Sequence, residues 1–367
     1  MKIAILGTRG IPARYGGFET LADQLSKRLA ARGHQVTVYC RRQFTRPDDQ
    51  FDSRIRRVIL PSISSKHFDT ALNGFLSALH GSFSDTEVML ICNVANSLVA
   101  WIPRLFGKPT ALHVDGFDRK RRKWNIFGRA YLLFCETLSS FTPSRVVTDA
   151  LAMQDYYQRR YHKKAEVILY GAEVPDQAPE GETVVARLHL PRQRYILYAS
   201  RFEPENNPEL VVNAYRQLQT EWPLVMLGGN VYDPAYVEKI QSLGDDGVIF
   251  TGPIYGEGYW ELQKNAGLFV FACEVGGVHP ALVEAMTVGK PVLYLDTPEN
   301  RETIGDCGVA FQPDAQDLAV KIGSTLQNPQ LLSELSARAR ERAEKLYRWD
   351  EITSQYEAMF KKMLGRS

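Results

Sequence analysis

The sequence predicts an α/β protein built from two Rossmann-like, doubly wound domains facing a cleft. Three observations carry that expectation. A chain of 367 residues is too long for one ordinary core. A strand, glycine loop, helix and strand open it, and the same alternation restarts after a polar stretch interrupted by prolines at residues 176–193. Short continuous apolar runs, the mark of parallel strands buried on both faces, recur through both halves.

The elements follow in order. KIAILG at 2–7 reads as a buried strand and GTRGIPARYGGFE at 7–19 as a loop. A helix follows, with Leu21, Leu25 and Leu29 at helical spacing and Gly33 as its stop. HQVTVYC at 34–40 is the second strand. EVMLICN (87–93), PTALHVD (109–115), RVVTDA (145–150) and EVILYGAE (166–173) read as further strands, which places a first domain at 1–175. Residues 176–193 suit a linker, and 194–346 form the second domain.

There, RYILYAS (194–200), PLVMLGG (223–229), GVIFTG (247–252), GLFVFAC (267–273) and PVLYL (291–295) are strands, and ENNPELVVNAYRQLQ (205–219) is a helix. In FACEVGGVHPALVEAMTVGKPV, Gly276 and Gly277 let a ligand approach the main chain, and Pro280 suits the first turn of a helix that runs to 288. Helical segments at 314–346 and 349–364 end the chain, the last with Trp349, Ile352, Tyr356 and Met359 or Phe360 on one face.

Composition limits the function. The apolar share of 44% and charged share of 23% are those of a soluble globular protein, and a net charge of +2 gives no global reason to bind nucleic acid. Five scattered cysteines without a CxxC indicate neither zinc nor disulfides, which fits a reducing cytoplasm. MKIAILG runs straight into a strand, so no signal peptide is expected, and no apolar run nears the roughly 20 residues of a membrane span. Neither D-x-D nor HExxH occurs, so no metal is expected.

Several clusters point to a phosphate-bearing ligand. Gly7, Gly10, Gly16 and Gly17 bring main-chain N–H groups to a helix start. Arg201 follows a strand end and can clamp phosphate through two hydrogen bonds. His113 and Asp115 follow another strand and face the same crevice. Arg41 and Arg42 can mimic an NADP 2′-phosphate site, so a nicotinamide-dependent oxidoreductase stays open. The run Arg119 to Lys123, then Trp124, Ile126, Phe127, Tyr131, Leu132 and Phe134, suits an anionic lipid surface at 119–134 or a solvated face beside a core helix.

Taken together, the motifs resemble those of retaining glycosyltransferase family 4, with its GT-B fold of two Rossmann-like domains. GGFE at 16–19 resembles the N-terminal glycine loop, SRFEPEN at 200–206 the G-R-L-x-x-E-K segment, and YGAE at 170–173 the stretch before the interdomain linker. GGVHPALVEAM at 276–286 resembles G-F-G-L-P-x-L-E-A-M. YRWDEITSQYEAMF looks like a helix, within 347–367, that crosses back to the first domain. GTRGIPARYGGFET and VDGFDRKRRKW look most like a bacterial subgroup that includes rhamnosyltransferases of polysaccharide assembly. There are three departures. The first of the family's paired acids falls on Gly276, the family lysine falls on Asn206, and Asp118-Arg119 stand where the subgroup tends to have Glu-Trp.

The resemblance implies metal-independent, retaining transfer of a hexose or 6-deoxyhexose from a nucleoside diphosphate sugar (dTDP, UDP or GDP) to a glycan or lipid-linked acceptor, with no other cofactor. It implies Arg201 on the diphosphate, Glu284 on the ribose hydroxyls, and Asn206 in the lysine's place. Gly276, Gly277, Val278 and His279 would hold sugar and phosphate. Gly16 and Gly17 would close over the diphosphate, and His113 and Asp115 would position the acceptor. Glu274 lies two residues before the missing acid, and Gly276 leaves open space suited to a deoxy position. A sugar-nucleotide epimerase and a non-catalytic scaffold on the same fold stay open.

Overall fold

The computed structural model describes residues 1–14, 16–46, 48–61, 69–122, 124–174, 183–230 and 233–366. The chain divides into two compact units. The first comprises Met1–Lys120, Trp124–Gly171 and Trp349–Ser367, and the second Arg121–Lys123 and Ala172–Arg348.

The first unit is built on seven parallel strands: β1 (Lys2–Leu6), β2 (Gln35–Arg41), β3 (Ile55–Leu60), β4 (Val88–Cys92), β5 (Thr110–Val114), β6 (Arg145–Thr148) and β7 (Glu166–Val167). Their order is β3-β2-β1-β4-β5-β6-β7. Strand order reverses between β1 and β4, whose carboxyl ends define the crevice where doubly wound sheets bind ligands. All five residues of β4 and of β5 are buried, as helices on both faces require. Ala4, Leu6, Met89, Ile91, Leu112, Val146 and Tyr157 share the core. The helix Trp349–Met363 belongs to this unit, burying Trp349, Ile352, Tyr356, Met359 and Phe360. It packs beside the helix Gly17–Ala31, whose Arg32 donates to the Asp350 carbonyl and the Glu357 carboxylate.

The second unit holds six parallel strands: β8 (Ile196–Ala199), β9 (Leu224–Leu227), β10 (Val248–Gly252), β11 (Leu268–Phe271), β12 (Val292–Leu295) and β13 (Gly308–Phe311). They run in the order β10-β9-β8-β11-β12-β13, with the reversal between β8 and β11. Tyr198, Phe202, Val212, Met226, Val270, Leu293 and Phe311 lie in its core.

Some local expectations change. Most of the stretch expected as a linker lies outside the described residues. From Thr183 onward it is part of the second unit: Thr183 caps a short helix, Val184–Arg187, and the Glu261 carboxylate accepts the Val184 N–H at 2.7 Å. The strand expected over 166–173 stops at Val167. Beyond it, Tyr170 turns inward to accept the Leu21 N–H at 2.7 Å. The helix expected over 205–219 spans only Pro208–Tyr215, because Asn207 before it is left-handed (φ 53°). The segment 314–346 is two helices, Ala315–Leu326 and Pro329–Leu346, the second started by Asn328 and Pro329.

Candidate functional site

In the second unit, the sequence-predicted residues gather on the two loops at the strand reversal. Arg201 follows β8. Its guanidinium is partly exposed and pairs with Glu203 at 3.3 Å. The turn beneath it is tight: the Arg201 carbonyl accepts the Glu203 N–H at 2.8 Å and the Asn206 side-chain amide at 2.8 Å. Asn206 is buried, so the residue at the family's lysine position holds the Arg201 backbone.

The loop after β11 is stitched by amides. Asn207 donates to the Ala272 carbonyl at 2.9 Å and to the Glu274 carboxylate at 3.1 Å. Asn300 donates to the Cys273 and Leu295 carbonyls at 3.0 and 2.9 Å, and the Glu274 N–H reaches the Glu205 carbonyl at 2.9 Å. Glu274 also accepts from Arg122 at 2.6 Å, so its carboxylate is already engaged.

Gly276 departs from expectation. The space at its Cβ position is filled: a methyl there would lie 2.3 Å from the His279 ring. The imidazole folds back over Gly276 with its ring centroid 4.9 Å from that of Phe271. The place beside Gly276 inferred as open for a deoxy sugar is occupied by the imidazole, which a larger residue at 276 would have to displace. Burial first, then Arg121 and Arg201, push the His279 pKa down to about 3, so the ring is neutral.

Gly277 and Val278 are buried beside it. His279 stands at the N-cap of the helix Pro280–Thr287, which has no side-chain cap and no acid in its first turn. Its leading N–H groups suit an anion. Glu284 lies further along this helix. Burial raises its carboxyl to about 7, and the Tyr259 hydroxyl, which donates to Oε2, opposes that shift.

The first unit places its predicted residues at the carboxyl ends of β1 and β5. Gly7 and Gly10 have φ of 90° and 120°, conformations that favour glycine. Gly16 caps the helix Gly17–Ala31 with no side-chain hydrogen bond. Glu19, in its first turn, accepts the Arg9 N–H at 2.8 Å. Asp49 ties Arg14 at 2.5 Å and Arg57 at 3.1 Å, and Arg57 reaches the Ile11 carbonyl at 3.3 Å. His113 is enclosed: its Nδ1 lies 2.9 Å from the Tyr356 hydroxyl and Phe18 packs edge-on at 5.4 Å. Burial pushes its pKa down to about 3. Asp115 is half-buried just beyond β5.

Two sequence readings lose residues, although Arg42 of the first stays exposed. Arg41 is buried, with Nη1 2.7 Å from Asp69 and Nε 3.2 Å from the Thr8 carbonyl, so it fastens the glycine loop and is not presented to a 2′-phosphate. Arg119 pairs with Glu136 at 3.0 Å and Tyr156 at 3.0 Å, while Arg121 lies 3.5 Å from Glu205. With Arg122 held by Glu274, the described arginines of this run answer acids of the protein itself. Lys123 lies outside the described residues. Beside the exposed Lys120, Arg122 and Arg129 stand exposed large apolar side chains: Ile126 and Phe127 at 77% and 80%, with Tyr131, Phe134 and Phe141 along the same helix and beyond it.

Tyr259 and Gln263, which bear on Glu284, belong to no sequence motif. Only their i, i+4 spacing in the helix Glu257–Asn265 hinted at a shared face. Among the described residues no cluster of three or more His, Cys, Asp or Glu is placed to hold a metal ion, and no helix is long and apolar enough to cross a membrane. All five cysteines are buried and free.

Comparison with known proteins agrees with this geography. The family profile described as "Glycosyl transferases group 1" matches residues 183–345, and one described as "Domain of unknown function (DUF1972)" matches residues 1–173. O-antigen chain mannosyltransferase B of Escherichia coli is 24% identical over 225 residues, covering 59% of this chain and 55% of that protein. The chain therefore spans little more than half of that relative. Mannosylfructose-phosphate synthase of Agrobacterium fabrum is 21% identical over 425 aligned positions, covering 98% of this chain and 90% of that protein.

Among solved structures, sucrose-phosphate synthase from Thermosynechococcus elongatus superposes with a TM-score of 0.85 at 22% identity over 100% of both chains. Anabaena Alr3699/HepE in complex with UDP-glucose gives 0.79 at 16% identity over 99% of this chain and 100% of that one. These likenesses show the GT-B type of fold, and the group 1 glycosyltransferase profile matches within the second unit.

Proposed function

We propose that the chain is a retaining, metal-independent glycosyltransferase that moves a hexose or 6-deoxyhexose from a nucleoside diphosphate sugar to a glycan or lipid-linked acceptor in bacterial surface polysaccharide synthesis. The observation that carries this reading is the meeting of Arg201, the uncapped helix start at His279–Pro280 and Glu284 around one strand reversal, inside the segment that matches the glycosyltransferase profile. The Anabaena protein was solved in complex with UDP-glucose, and such a donor has the diphosphate and ribose that these groups suit.

In this reading Arg201 and the N–H groups near Gly277–His279 hold the diphosphate, and Glu284 accepts from the ribose. The bond between the anomeric carbon and the diphosphate oxygen breaks, and the acceptor oxygen bonds to that carbon on the same face. The acceptor proton passes to the departing diphosphate oxygen, so no side-chain base is required. Stabilising the charge on that oxygen is the main catalytic task. Gly16 and Gly17 would offer main-chain N–H groups to a phosphate, and Asp115 and His113 would position the acceptor.

The sugar is tested by hydrolysis and transfer with dTDP-rhamnose, GDP-mannose and UDP-glucose. The first-unit motifs favour rhamnose and the E. coli relative mannose; turnover of none of the three by the intact chain overturns the reading. For location we propose the inner face of an anionic membrane, met through Ile126, Phe127, Tyr131 and Phe134. Lys120, Arg122 and Arg129 are the exposed charges nearest in sequence to this face, and the acid of its helix, Glu136, is buried. Phe127→Asp with Phe134→Asp should abolish sedimentation with phosphatidylglycerol vesicles. Retained sedimentation, or a change from dimer to monomer in its place, overturns that placement.

A further inference from the structure

Glu284 is met from the side by a second helix. Tyr259 and Gln263 lie one turn apart on the helix Glu257–Asn265. The Tyr259 hydroxyl donates to Glu284 Oε2, and Gln263 Nε2 lies 3.0 Å from the Tyr259 oxygen. Gln263 is fully buried. The chemistry gives this chain one direction. An amide NH2 only donates, so the tyrosine oxygen accepts from Gln263, and its single proton is left for Glu284. Glu284 is then an acceptor at Oε2, and among the described residues its Oε1 has no hydrogen bond.

A ribose offers hydroxyl donors. A carboxylate in a dry setting binds them well only if it stays ionised and keeps one rotamer. Burial works against the first condition and side-chain freedom against the second. The tyrosine answers both, favouring the ionised form and fixing one oxygen so that the other faces a ligand. Among the described residues no other hydrogen bond restrains this side chain. The two helices reach Glu284 from positions about 25 residues apart, so the contact is tertiary and no local motif encodes it.

We propose that Tyr259, oriented by Gln263, is a positioning residue that fixes Glu284 as a one-sided acceptor for the ribose hydroxyls of a nucleoside diphosphate. This rests on the reading that Glu284 receives the ribose, and the experiment separates the two.

Calorimetric titration of the intact chain with UDP and GDP, each against its 2′,3′-dideoxy analogue, reads the ribose contribution as an affinity ratio. The wild type should prefer the ribonucleotide by about tenfold or more, the scale of one hydrogen bond to a charged group. Glu284→Ala should bring the ratio near one. Tyr259→Phe, which keeps the ring packing, should lower the ratio about three- to tenfold while leaving the dideoxy affinity unchanged. Gln263→Met should give a smaller loss in the same direction. A general loosening would weaken both nucleotides alike and leave the ratio intact. A full ratio in Tyr259→Phe, with the ratio lost in Glu284→Ala, overturns the positioning role alone. A wild type that does not distinguish the pair, or a Glu284→Ala that still does, overturns the ribose assignment and the positioning role with it.

Discussion

The loop after β1 and the loop after β11 hold the same place in their sheets, at the carboxyl end beside the strand reversal, yet they are fastened by different chemistry. The first is held by charge. Asp49 grips Arg14 and Arg57, Arg41 reaches its carbonyls, and Glu19 stands in the first turn of the helix that follows. The second is held mainly by amides, Asn207 and Asn300, on backbone carbonyls, with the half-exposed Arg122–Glu274 pair at its edge, and its helix begins with no acid. A helix start carries partial positive charge. Glu19 compensates it within the protein in the first loop, whereas the second leaves it for a ligand. Shared topology does not make equal anion sites; the nearest carboxylate decides.

The largest expected effect tests the charged fastening. Asp49→Ala strands the nearly buried Arg57 and should cost about 3 kcal/mol of unfolding free energy. Chemical denaturation measures it, and a loss under about 1 kcal/mol would place the strength of that loop elsewhere.

Next comes the candidate site of the second unit. Arg201→Ala should weaken nucleoside diphosphate binding tenfold or more, since a charge-assisted hydrogen bond contributes about 1.5–3 kcal/mol. Unchanged affinity in a folded variant removes Arg201 from the diphosphate. Glu284→Gln should lower kcat/KM by tenfold or more, and Glu274→Gln by much less, because Glu274 answers Arg122 and Asn207. A larger loss at Glu274 reverses the two roles.

Acid and base sharpen the contrast through opposite signs. His113 has its pKa lowered to about 3 by burial. It contributes stability that is full above the ordinary histidine value near 6.5 and is lost as pH falls toward 3, by about 1.4 kcal/mol per pH unit. Glu284 has its pKa raised to about 7, with Tyr259 the titratable neighbour acting on it. Its contribution is full below the ordinary glutamate value and lost as pH rises through about 7. Thermal melts across pH 4–8 should show the acid-side loss, and Glu284→Gln should remove part of the neutral-side loss. A Glu284→Gln melt with the same pH dependence as the wild type contradicts the Glu284 shift. The smallest expected effect is none: transfer should persist in excess EDTA, and loss restored by magnesium or manganese would contradict the metal-free reading.

Much of this was legible in the sequence because of burial. Central strands such as β4, β5 and β11 are covered on both faces, so they read as unbroken apolar runs. The strands missed, β3 and β13, lie at sheet edges. β3 carries Arg56 and Arg57, which break its apolar run, and both strands are buried only in part, β13 with three of its four residues partly exposed. β7, also an edge, is shorter than its apolar sequence implied, because Tyr170 serves a hydrogen bond to Leu21.

The sequence by itself determined the alternation of strand and helix and the glycines that turn the loops, since these follow from periodicity and local spacing, while the resemblance of its motifs to a known family supplied the candidacy of Arg201 and Glu284. Only the tertiary structure decided which charges remain available. Arg41 meets Asp69, Arg119 meets Glu136, Tyr259 meets Glu284, and the His279 ring fills the place beside Gly276. The first three partners lie on other segments, and the last depends on how a loop folds back. Electrostatics and sterics act through space, and a local pattern carries no record of which distant side chain will arrive there.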